Sequence, residues 1–184
     1  MYKGNAKHGE IEIINENLVF KNKFICLYND DVLFPNGGVG KYFRIKNNYS
    51  NYGVVIVPVT ESGKIVLLTE FHHARREWIY TIPKGYGESD LTYHECAKAE
   101  LLQEAGMIPK VLSKVLSYPE NGAKVQVFVA TGCEFVGQQL EETECISNVG
   151  QYDVHEIKEM IDTGVINEQA TLIGLLYYLN LNKR

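Results

Sequence analysis

The chain changes its hydrophobic period sharply after Gly87, and this change restricts its fold more than any other feature of its 184 residues. Upstream stand short runs rich in aromatic and β-branched residues, bounded by turn formers, as strands are. They cover residues 24–28, 42–45, 53–59, 65–69 and 78–82, the last ending at Pro83. Pro35-Asn-Gly-Gly38 reads as a tight hairpin turn in which Asn-Gly supplies positive φ angles. Glu61-Ser-Gly-Lys64 reads as a second turn. Downstream, residues 92–105 favour helix. Thr92 and Glu95 have capping-box spacing, and Gly106 stands where a left-handed C-cap belongs. Strand character returns at 125–130. Two helices close the chain, at about 154–163 and 167–179, the second with Asn167 as N-cap and a stripe of Leu172, Leu175, Leu176 and Leu179. This order predicts an α/β (or α+β) sandwich, with residues 1–48 as a small β element and 49–184 as the main domain.

Composition narrows the partners. Hydrophobic residues make up 45% of the chain and charged ones 22%, enough to bury a core. The net charge of −5, with no Lys/Arg stripe, argues against duplex nucleic acid. Cys26, Cys96, Cys133 and Cys145 lie far apart, with no C-x-x-C pair to signal a disulfide framework or metal site. The polar N-terminus and the shortness of every apolar run predict a soluble, cytoplasmic protein with no membrane span.

Chemistry concentrates between Pro83 and Met107. Glu100 and Glu104, four residues apart, project from one helical face a turn apart, where like charges repel. A shared divalent cation, Mg²⁺ or Mn²⁺, turns that repulsion into attraction, since such ions take one or two carboxylates and complete their shell with water and phosphate. Glutamates at this spacing also occur, more often, on ordinary solvated helices. The loop Gly85-Tyr-Gly87 brings backbone close to whatever the carboxylates hold.

The whole stretch resembles the Nudix box, G-x₅-E-x₇-R-E-U-x-E-E-x-G-U, with U a bulky aliphatic residue. Gly85, Glu100-Leu101, Glu104, Gly106 and Met107 match; Leu91, Ala99 and Gln103 depart. Leu91 and Ala99 together remove a glutamate and an arginine that pair in the family, leaving no orphan charge. Gln103 keeps an oxygen ligand and loses a charge, which should weaken metal binding. The resemblance implies a Nudix-type α/β/α sandwich with a mixed sheet and a metal held by Glu100 and Glu104, with Gln103, Glu88 and Gly85 assisting. Further segments resemble the ADP-ribose pyrophosphatase type of Nudix protein: the strands at 53–69 and 78–83, Phe71-His-His-Ala-Arg-Arg76 and Tyr118-Pro119. That subgroup implies an N-terminal β element, a homodimer, and hydrolysis of ADP-ribose or another nucleotide-sugar, giving AMP and ribose 5-phosphate in the first case. It also implies a catalytic base in the acidic loop 140–146, where Glu141, Glu142 and Glu144 are all open. Arg75 and Arg76 are candidates for clamping the diphosphate, or are plain surface residues. His72, His73 and His94 share no ligand spacing, and Trp78 and Tyr80 suit base stacking or packing. Gln103 also motivates a reading from another class, a Nudix-fold sensor that binds a nucleotide-sugar without cleaving it.

Overall fold

The computed structural model describes residues 1–87 and 90–181. They form two compact units, one of 1–51 with 119–123 and the other of 52–118 with 124–181.

In the first unit a 3₁₀ turn (Ala6–His8) precedes β1 (Glu12–Asn15), β2 (Leu18–Lys21), β3 (Ile25–Leu33) and β4 (Val39–Asn47). Strand β3 pairs antiparallel with β1 and β2 and, along its full length, with β4. The β3–β4 connection corrects the expected turn geometry. Gly37 alone has a positive φ, of 85°, while Asn36 uses its side chain to accept from the N–H of Gly38 at 3.0 Å. A turn with both φ angles positive, 45° and 81°, occurs instead at Asn121-Gly122, as two-residue hairpins favour. Little apolar surface is buried in this unit. Cys26 and Val32 are the buried hydrophobics of its sheet, beside an ion pair of Asp30 and Arg44 at 2.9 Å.

The second unit holds β5 (Tyr52–Thr60), β6 (Ile65–His72), β7 (Glu77–Thr81), β8 (Lys84–Tyr86), α1 (Tyr93–Ala105), β9 (Met107–Ile108), most of β10 (Val111–Glu120) and β11 (Ala123–Phe135), β12 (Ile146–Tyr152), α2 (Val154–Asp162) and α3 (Gln169–Leu181). The sheet runs β10-β11-β5-β6-β12, with β7 and β12 on β6, β8 on β5 and β9 on β11. It is mixed, because β11 and β5 are parallel and the pairings of β6 are antiparallel. Strand β5 reads as an unbroken apolar run because both its faces are covered. Val55, Val57 and Val59 meet Ile157, Ile166 and Leu175 on one face. Val54 and Ile56 meet Ala97, Leu101 and Ala105 of α1 on the other. The result is an α/β/α sandwich.

Helix α1 starts on the expected capping box, with Glu95 Oε2 accepting from the N–H of Thr92 at 2.9 Å. It ends at Gly106, at φ 65°. Helix α3 differs from expectation at its start. The carboxylate of Glu168, not Asn167, accepts from the N–H groups of Ala170 and Thr171. A carboxylate answers the unpaired donors and positive end of a helix better than an amide does; Asn167 turns instead to the carbonyl of Gly164. Of the expected stripe, Leu172, Leu175 and Leu179 pack into the core. Leu176 is exposed, while Gly174 brings the helix against Ile82 and Val57, leaving no room for a Cβ.

Candidate active site

Backbone order, not spacing alone, makes α1 a site. Glu100 rises toward β8, where a Cβ on Gly85 would stand 1.9 Å from its Oε1. Glycine is thus what lets this carboxylate lie on the backbone. Glu104 is buried, and its Oε2 accepts from the N–H of Lys84 at 2.9 Å. The third member comes from the acidic loop. Glu100, Glu104 and Glu144 each place a carboxylate oxygen within 4.8 Å of the other two.

That loop is tied to the end of α1. Val136 and Gly137 donate to the carbonyl of Gly106, Gln139 to that of Gln103, and the side chain of Gln138 to that of Glu104 at 2.6 Å. These carbonyls lack helical partners, so segment 136–139 closes the helix and delivers Glu144, whose Oε2 accepts from the N–H of Glu141 at 2.8 Å.

Charge is concentrated in this cluster. Burial pushes the pKa of Glu104 up to about 8, against the pull of Lys84 and with further lifting by Glu100 and Glu144. Three carboxylates sharing so small a volume, one of them buried, form a hard oxygen donor set that fits a divalent cation. Lys84 offsets part of the charge. Its Nζ meets Glu70 Oε2 at 2.7 Å. Burial depresses its pKa, but Glu70, Glu104 and Glu168 outweigh that and hold it above the usual lysine value. A cavity of about 450 Å³ opens beside Glu104 and Glu144, lined also by Glu70, His72, His73 and Thr143.

The remaining predicted residues are distributed as follows. Gln103 is half-buried on the same turn of α1. Glu88 lies outside the described residues. Glu141 and Glu142 are exposed and outside the three-carboxylate cluster. Neither arginine lines the cavity: Arg75 is taken up by Asn167 at 2.7 Å and Glu77 at 2.6 Å, while Arg76 lies over the Phe71 ring. His94 meets the carbonyl of Leu112 at 3.1 Å. Trp78 is exposed and edge-on to Phe71, and Tyr80 is edge-on to Tyr152. Leu91 packs with Tyr52 and Tyr93 against the core beneath α1, so an apolar contact occupies this position in place of a charge. The sequence does not single out Glu70 and Lys84, charged residues just past the ends of two strand runs.

The NUDIX domain family matches residues 50–171, a span that contains α1, the loop and the cavity. The chain belongs to the Nudix family and is a Nudix pyrophosphohydrolase. It is similar to the ADP-ribose pyrophosphatase of Bacillus subtilis (strain 168), 26% identical over 174 residues, which cover 91% of this chain and 92% of that protein. Its fold is shared with the crystal structure of an ADP compounds hydrolase, 19% identical, at a TM-score of 0.81 over 94% of each chain.

Proposed function

We propose that the protein hydrolyses ADP-ribose to AMP and ribose 5-phosphate, with Mg²⁺ or Mn²⁺ as cofactor. One observation carries this reading: carboxylates from a helix and a loop converge beside a cavity of about 450 Å³. The similarity to an ADP-ribose pyrophosphatase supports the choice of substrate. Glu100 and Glu104 hold the cation, Gly85 leaves room for Glu100, and Gln103 lies on the same turn. A divalent cation bound there neutralises the diphosphate and acidifies or orients water. Glu144 takes the proton as the water oxygen bonds to one phosphorus. The bridging P–O bond breaks, and the departing phosphate carries away its electron pair. The hydrogen bond from Glu141 aims the Glu144 carboxylate.

The working form is a cytoplasmic homodimer. On the first unit's sheet Val39, Tyr42, Phe43 and Ile45 are exposed, apolar surface of the kind a partner subunit covers. No helix among the described residues is long and apolar enough to cross a membrane. The test of function is product analysis with ADP-ribose and other nucleoside diphosphate derivatives, in Mg²⁺, in Mn²⁺ and in chelator. Metal-dependent AMP release is the expected result; no product in either metal would overturn the reading. Sedimentation at micromolar concentration tests the dimer, and a monomer there would exclude it.

A further inference from the structure

The cavity beside the carboxylates has a second wall that bond cleavage leaves unexplained. It comes from the hairpin between β6 and β7, where His72 and His73 line the space with Glu70 and Thr143. Each imidazole turns its Nδ1 toward a donor of the same hairpin. The backbone N–H of Arg75 donates to Nδ1 of His72 at 3.2 Å. An amide N–H can only donate, so Nδ1 accepts and the ring proton resides on Nε2. Nδ1 of His73 lies 3.1 Å from Nη1 of Arg76. A guanidinium also only donates, which places the proton of His73 on Nε2 as well.

The backbone holds this arrangement under strain. Arg76 has φ 56°, in the left-handed region that residues other than glycine seldom occupy. Its guanidinium lies 5.0 Å from the centre of the Phe71 ring while orienting His73. Strain of this kind clusters at ligand-binding positions and persists where surrounding contacts hold it. Glycine would relieve the turn and lose the group that fixes the imidazole.

We infer that this wall binds the hydroxyl groups of a sugar flanking the diphosphate, through Nε2–H of His72 and of His73. The inference rests on the pyrophosphatase reading and deepens it. A hydroxyl both donates and accepts, and the wall offers both kinds of partner. The imidazoles donate, while the Glu70 carboxylate has about four acceptor sites, of which Lys84 and Thr81 use two. A phosphate oxygen only accepts, so it could use the imidazole donors but not the Glu70 carboxylate.

The test compares wild type with His72→Ala, His73→Ala and the Gln variants, whose amide restores a donor. Three probes are used: ADP-ribose, methyl-ADP, which lacks the second sugar, and the 2′,3′-dideoxyadenosine form of methyl-ADP. At about tenfold per lost hydrogen bond, kcat/KM of the Ala variants falls most on probes that carry the recognised hydroxyls, mainly through KM, and the Gln variants recover part of it. A loss confined to ADP-ribose assigns the wall to the distal sugar. A loss shared by methyl-ADP and absent from its dideoxy form assigns it to the nucleoside ribose. Equal losses on all three probes, or no loss on any, overturn the inference. Calorimetric binding of the same probes gives the same comparison without turnover. Wild-type protein that binds ADP-ribose through the histidines yet releases no AMP would sink the hydrolytic reading alone.

Discussion

Helix α1 and the loop before β12 supply carboxylates to one cluster by different means. On the helix, the four-residue interval fixes Glu100 and Glu104 on one face whatever else the chain does. In the loop, nothing in the interval 141–144 selects a residue. Selection comes from the hydrogen bonds of segment 136–139 to the carbonyls closing α1 and from the bond between Glu141 and Glu144. The helix is therefore suited to holding a charge at a set place. The loop presents a carboxylate whose position depends on its tether, which suits a group that takes up a proton and gives it away.

The largest expected effect is on the helix side. Glu104→Gln should lower kcat by about 10³-fold or more, since several kcal/mol of electrostatic stabilisation are lost at about 1.4 kcal/mol per tenfold. The metal requirement should rise with it, while the metal-free fold stays intact because the amide oxygen can still accept from the N–H of Lys84. Full activity with unchanged metal dependence would remove Glu104 from the site. The same residue sets a pH signature. Its folded pKa of about 8 lies above the ordinary value of 4.5, so the protonated form stabilises the metal-free fold. That contribution is complete below about pH 4.5 and is lost as pH rises through about 8. In chelator, Tm should fall across this window. Mg²⁺ should offset the fall at the alkaline end, and Glu104→Gln should flatten it. A wild-type Tm that rises from pH 5 to 8 in chelator would contradict the assignment.

On the loop side, Glu144→Gln should cost about 10²–10³-fold in kcat, the span usual for a general base, with a smaller loss of metal affinity than Glu104→Gln gives. Glu142→Gln, exposed and not a member of the cluster, should be near neutral. If metal affinity collapses with Glu144→Gln, helix and loop play the same part and the division between them fails.

Gly85→Ala probes how the helix carboxylate is accommodated. The added methyl meets the end of a flexible side chain, so Glu100 swings away and the fold survives. Activity should drop by roughly tenfold or more, as misplacement by about an ångström can do. An Ala variant as active as wild type would show that Glu100 need not lie against the backbone.

The same contrast explains what the sequence made legible. Strands β5 and β6, the capping box of α1, the left-handed Gly106 and the pair Glu100 and Glu104 all express periods or intervals of a few residues, which local geometry converts directly into structure. Glu168 rather than Asn167 caps α3 because a carboxylate and an amide both suit the position, and only the backbone path chooses. Strand β10 was missed because its exposed and half-buried positions alternate irregularly. Glu144 and the pair of Glu70 and Lys84 depend on contacts between residues 14 to 44 positions apart, which no interval encodes. Leu91 was recognised as an uncharged replacement, but its packing on Tyr52 required the fold.

The smallest expected effect tests the tether itself. Gln138 bonds through its side chain to the carbonyl of Glu104 at 2.6 Å, one of four hydrogen bonds joining segment 136–139 to the end of α1. Gln138→Ala removes one of them and leaves the backbone bonds of Val136, Gly137 and Gln139 in place. A net loss of about 1 kcal/mol for such a bond would lower Tm by a few degrees at most. If the tether positions Glu144, kcat should fall about three- to tenfold, by the same arithmetic, with KM and metal affinity unchanged. Gln138→Glu, which lacks the donor, should behave like the Ala variant. A Tm loss without a kcat loss would mean that the segment only closes the helix and that Glu141 alone aims the base.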